Sequence, residues 1–132
     1  MTTQSRATAA EMVAEAKRNV ENLAPASVAA ELHDGDPLLV DLREPAERTE
    51  HGVIQGAVHA PRGMLEFYAD PTSPYHRPEF QLERRVILHC ASGGRSALAA
   101  ATLARLGYRD VAHLDGGLKA WKEQGLPVEA CE

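Results

Sequence analysis

Cysteine is scarce in this chain of 132 residues: Cys90 and Cys131 are the two present, and they form no C-x-x-C pair. A disulfide framework or a zinc ribbon is therefore unsupported, and a reduced, cytoplasmic setting is expected. Long apolar runs are missing too. No stretch approaches the roughly 20 residues of a membrane span, and the N-terminus lacks a segment of signal-peptide length, so the sequence predicts no membrane partner. Positive charge is not in excess: 14 Lys and Arg stand against 19 Asp and Glu, a net charge of -5. This argues against a nucleic-acid partner or an anionic surface. Histidines at 33, 51, 59, 76, 89 and 113 show no short metal-ligand spacing, and no metal site is expected. Neither an internal repeat nor a low-complexity segment interrupts the chain, whose length suits one domain with an ordinary core.

What is present centres on His89-Cys90-Ala91-Ser92-Gly93-Gly94-Arg95-Ser96. Arg85 to His89 reads as a buried strand and Ser96 to Leu106 as a helix, which puts Cys90 at a strand-to-helix turn. Two glycines let such a turn curl until successive N–H groups face one anionic atom, and a thiolate is such an atom. Strand alternation turns His89 away from Cys90.

Around this centre the pattern alternates strand and helix. Thr8 and Glu11 have capping-box spacing, and Ala9, Met12, Val13, Ala16, Val20 and Leu23 predict an amphipathic helix that runs until Pro25. Ser27 is expected to cap a short helix over 28–32. Leu38 to Leu42 reads as a strand buried on both faces, in which Asp41 needs partners from Arg43 or the N–H groups of the next turn. Pro45 begins a short helix, and 52–61 reads as a turn, a short strand ending near His59 and a helix start. Residues 70–78 form the longest irregular stretch. Gly107 ends the helix after Cys90, Val111 to Leu114 is a further strand, and Gly116-Gly117 leads into a helix carrying Leu118 and Trp121. Alternation of this kind predicts a parallel, helix-covered sheet with its ligand site beyond the carboxyl ends of the strands, where Cys90 falls. Cys131 reads as an exposed tail thiol.

Three separated stretches together resemble the rhodanese homology domain family: Asp41-Leu42-Arg43-Glu44 with Gly52-Val53-Ile54-Gln55-Gly56-Ala57, the cysteine loop, and Gly116-Gly117-Leu118-Lys119-Ala120-Trp121. The resemblance runs from about residue 27 to 129. It implies a three-layer α/β fold with about five parallel strands and helices on both faces, here a domain over 26–132 preceded by a helical extension over 1–25. It further implies a single-domain sulfurtransferase in which Cys90 is the nucleophile and the loop amides of Ala91, Ser92, Gly93, Gly94, Arg95 and Ser96 bind the transferred sulfur. Asp41, Arg43, Glu44, Gly116 and Gly117 would support the loop, Arg95 would hold it by pairing with a carboxylate, and Ser96 would cap the helix.

The expected reaction is a double displacement without metal or organic cofactor. Cys90 takes a sulfane sulfur from thiosulfate or a persulfide and passes it to cyanide or a thiol, a protein thiol among the candidates. Two other readings compete: a binding or regulatory module without turnover, and a phosphatase or arsenate reductase. Relatives of the latter kind carry C-x5-R, whereas this chain reads Cys90-x4-Arg95. A persulfide's terminal sulfur is one anion for a compact ring, whereas a phosphoryl group has three equatorial oxygens and needs a wider one. Arg95 is the only formal charge in the loop, with Arg62 and Arg77 in neighbouring loops as further candidates to attract a dianion.

Overall fold

In a computed structural model, which describes residues 6–131, the capping box forms as expected. The Glu11 N–H donates to Thr8 Oγ1 at 3.1 Å and the Thr8 N–H to Glu11 Oε1 at 2.8 Å, opening α1 (Ala9–Asn19). The helix stops sooner than its apolar spacing predicts. Val20 is extended and Glu21–Leu23 is strand β1, because this edge segment finds a ladder partner in the sheet. Asn22 makes the break self-sufficient: its Nδ2 donates to the carbonyls of Lys17 and Val20, at 2.8 and 3.1 Å, which the ended helix would otherwise leave unpaired. Ser27 lies within α2 (Pro25–Asp34) rather than capping it, since Pro25 takes the first helical position, where its missing N–H costs nothing.

The remaining elements are β2 (Leu38–Asp41), α3 (Pro45–His51), β3 (Val58–His59), a 3-10 turn over Arg62–Met64, α4 (Leu65–Ala69), β4 (Val86–His89), α5 (Gly94–Arg105), β5 (Val111–Leu114) and α6 (Gly117–Glu123). All five strands are parallel, in the order β1-β5-β4-β2-β3. Helices cover both faces, giving the three-layer α/β architecture.

Strand alternation sorts the core. Val86, Leu88 and Cys90 point with Leu38, Val40 and Leu42 toward Ala99, Ala100 and Leu103 of α5 and Leu65 and Ala69 of α4. Ile87, Leu39 and Leu114 point the other way, to Val28 of α2 and Leu118 and Trp121 of α6. Helix α1 packs on α5, with Ala16 buried. Strand β4 is central and buried at every residue, so the chain that leaves its carboxyl end enters the loop from a fixed base.

Candidate active site

Cys90 is 1% exposed, at the floor of the loop that joins β4 to α5. The Gly93 N–H donates to its Sγ at 3.2 Å and the Ser96 N–H at 3.4 Å. Gly93 has φ +102°, a left-handed conformation that a residue with Cβ adopts only under strain, and it starts α5 so that the helix's free N–H end faces the sulfur. The cap of α5 is thus Gly93. Ser96, expected in that role, lies inside the helix, fully buried, with its Oγ 3.6 Å from Sγ.

The outer side of the loop is held by α6. The N–H groups of Leu118 and Lys119 donate to the carbonyls of Cys90 and Ala91, at 2.9 and 3.0 Å. In a trans peptide the N–H points opposite to the carbonyl, so these two bonds turn the amides of Ala91 and Ser92 away from α6. Such an approach requires Gly117: a Cβ there would stand 2.5 Å from the Ala91 carbonyl carbon and 2.6 Å from the Ser92 nitrogen, and φ is +60°. Gly116, at φ +82°, would put a Cβ 2.5 Å from that of Ala120.

One ion pair, made through two hydrogen bonds, braces the front. Arg95 meets Glu47 of α3 through both guanidinium NH groups at 2.8 Å, and Glu47 also accepts the Glu44 N–H. Hydrogen bonds from Arg95 outweigh burial and hold the Glu47 carboxyl at about 2. The carboxylate that pairs with Arg95 is therefore Glu47; Glu44 is exposed and contributes its backbone at the N-cap of α3. Its spacing was visible in Glu44-Pro45-Ala46-Glu47, where the third helical residue faces back over the cap.

Behind the loop, Asp41 accepts Arg43 N–H, Nε and Nη2 and Arg48 Nε, all between 2.9 and 3.0 Å. Arg43 Nη2 also reaches the Gly52 carbonyl at 2.8 Å. Burial pushes the Asp41 carboxyl up, yet the Arg43 hydrogen bonds prevail and bring it to about 2. His89 lies opposite Asp41 in the ladder, fully buried, its Nε2 3.9 Å from Asp41 Oδ1. Burial outweighs the attraction of Asp41 and lowers the imidazole pKa. It faces away from Sγ, as alternation requires.

The charge candidates are redistributed. Arg62 is bound to Glu66 and Thr102, and Arg77 to the His59 carbonyl and Glu79, lying over the Tyr68 ring. Beside the loop, a cavity of about 290 Å³ is lined by Arg43, His51, Ala91, Leu118, Lys119 and Lys122. Sequence spacing did not expose the two lysines as site residues, because only the docking of α6 against Ala91 brings them there. Residues 70–78 contribute nothing to this lining. Cys131 is half-buried rather than exposed.

A parallel α/β sheet carrying a buried cysteine in an amide-lined strand-to-helix loop defines the class. The Rhodanese-like domain model matches residues 24–124, and the chain belongs to that family. It is 39% identical over 97 residues to a sulfurtransferase of Allochromatium vinosum, covering 74% of this chain and 82% of that one. A solved protein of unknown function from Rhodopseudomonas palustris, described as a possible tyrosine phosphatase, is 40% identical with a TM-score of 0.90, covering 98% and 99% of the two chains. The polysulfide-sulfur transferase of Wolinella succinogenes, a homodimer, is 29% identical with a TM-score of 0.71, covering 88% and 82%.

Proposed function

We propose that this chain is a sulfurtransferase that moves a sulfane sulfur through a persulfide on Cys90. The observation that carries the reading is the pair of N–H groups, from Gly93 and Ser96, within 3.2 and 3.4 Å of a buried Sγ at the floor of the loop. The Cys90 thiolate attacks the outer sulfur of thiosulfate or of a polysulfide; the donor's S–S bond breaks and sulfite or the shortened polysulfide leaves with the electron pair. The new Cys90 persulfide places its anionic sulfur within the ring of loop amides. Attack on that outer sulfur by cyanide or a thiol restores the Cys90 thiolate. Lys119, Lys122 and His51 offer the donor's anionic end a place beside Ala91.

The phosphatase description of the Rhodopseudomonas relative is the specific ground for a second reading. Two features argue against carrying it over. The loop is C-x4-R, and both Arg95 guanidinium NH groups are committed to Glu47, leaving neither to clamp phosphoryl oxygens. The presence of Cys90 argues against a module without turnover. One experiment separates the three: incubation with thiosulfate or polysulfide and intact-mass measurement, beside an aryl phosphate assay. The proposal expects the mass of one sulfur gained by the wild type and not by Cys90→Ser, with no phosphate released. Phosphate release without sulfur gain overturns it, as does an unmodified wild-type protein.

A further inference from the structure

Four side chains stand in line from the thiol to the sheet edge. Ser96 Oγ is 3.6 Å from Cys90 Sγ and 2.8 Å from His113 Nδ1, and His113 Nε2 is 2.7 Å from Asn22 Oδ1. Ser96 and His113 are fully buried, and His113 stands opposite Leu88 in the β4–β5 ladder, on the face of the sheet that carries Cys90.

The direction of each hydrogen bond is fixed from the far end. Asn22 Nδ2 faces two carbonyls, those of Lys17 and Val20, which only accept. Its Oδ1 is therefore the atom turned to His113, so Nε2 carries the proton and Nδ1 is left as the acceptor. The one Ser96 hydroxyl proton goes to Nδ1 at 2.8 Å in preference to the Gly93 carbonyl at 3.3 Å. Lone pairs on Ser96 Oγ are then free to accept the Cys90 S–H.

We propose that Ser96, His113 and Asn22 form a proton relay that empties the Cys90 thiol. It rests on Cys90 being the nucleophile of the reading above. The S–H bond breaks as its proton passes to Ser96 Oγ; the original hydroxyl proton passes to His113 Nδ1. The products are a Cys90 thiolate and a His113 imidazolium whose Nε2–H remains on Asn22 Oδ1. No oxidant or reductant is involved, and the imidazolium serves as the counter-charge while the outer sulfur is held.

The groups around His113 suit this. Burial lowers its pKa, opposed by the charge of Asp115, while Lys17 of α1 adds to the lowering. Those two are paired with each other at 3.2 Å, so their effects on the ring largely offset. From α5 it meets Ser96 and from β1 Asn22, both uncharged. The resting imidazole is thus neutral and able to accept, and the charge that rewards protonation appears with the thiolate itself. His113 and Asn22 act through Ser96 and are positioning residues.

The test is the rate of Cys90 alkylation by iodoacetamide from about pH 5 to pH 10, in a Cys131→Ser background so that one thiol reports. His113→Gln, which cannot take the proton, is expected to move the midpoint of the rate profile up by about one pH unit, a roughly tenfold slower reaction near neutrality. Asn22→Asp places a carboxylate against Nε2–H, which favours the imidazolium, and forfeits the two Nδ2 bonds to the Lys17 and Val20 carbonyls; in protein shown by circular dichroism to be folded it is expected to move the midpoint down. Identical midpoints for wild type and both variants overturn the relay. Should His113→Gln fail to fold, Asn22→Asp decides alone: a downward shift supports the relay, and no shift or an upward one overturns it. Failure of the wild type to load sulfur with these shifts intact overturns the transfer reading and leaves the relay standing.

Discussion

Asp41 shows how a charge is tolerated at the end of an apolar strand. Four donors surround one fully buried carboxylate, so the group is ionised because its partners are present, not because water is. The sign of its pH dependence follows. A carboxyl lowered from 3.8 to about 2 stabilises the fold above its ordinary value, and that contribution disappears as pH falls from about 4 to 2. The shift corresponds to about 2 kcal/mol. Urea unfolding at a series of pH values should show stability falling through this window, and Asp41→Asn should lower stability at pH 7 while flattening part of the fall. Glu47 titrates in the same window and adds to the fall, as do Glu31, held down by Arg85, and Glu11 and Asp70, held down by hydrogen bonds from Thr8 and Thr72. Glu47→Gln leaves Arg95 without its carboxylate on the loop's outer rim. Because that pair is about one-third exposed, the expected stability loss is about 1 kcal/mol or less, and the larger effect should be a several-fold drop in kcat/KM for sulfur transfer.

Among the elements, α6 matters to the site more than its seven residues suggest. Its first turn donates to the carbonyls of Cys90 and Ala91, and the contact is close enough to forbid a Cβ at Gly117. Gly117→Ala should therefore slow sulfur loading of Cys90 at least tenfold, whereas Gly125→Ala supplies the control. Gly125 also has positive φ, +75°, but opens on empty space, so its substitution should cost only the backbone strain, about 1 to 2 kcal/mol, without changing the loading rate. Intact-mass time courses with thermal unfolding of both variants measure the two effects separately. Equal loading rates for Gly117→Ala and wild type would show that α6 does not shape the loop.

For the molecule as a whole, the N-terminal segment is joined to the sheet rather than appended to it. Helix α1 lies on α5, β1 extends the sheet beside β5, and Asn22 links that edge to His113. Thr8→Ala, which removes one half of the capping box, is expected to lower global stability by about 1 kcal/mol in urea unfolding. The loss should appear in the single main transition, since α1 covers the helix that carries the loop. An early separate transition of α1 would show that it is independent of the domain.

Much of this was determined by the sequence. Apolar runs, glycines and prolines marked β2, β4, β5, α3, α5 and α6, and Cys90-x4-Arg95 located the loop, because these features are local: a strand buried on both faces needs a continuous apolar run, and a tight turn needs glycine. Tertiary structure decided what depends on which elements meet. It ended α1 at Asn19, since β1 gains a ladder partner that helical spacing does not register. It supplied Glu47 as the carboxylate against Arg95, and brought Lys119 and Lys122 beside Ala91. It also aligned His113 with Ser96, because strand alternation gives a residue's side of its own strand, while only cross-strand register and helix docking say what stands opposite.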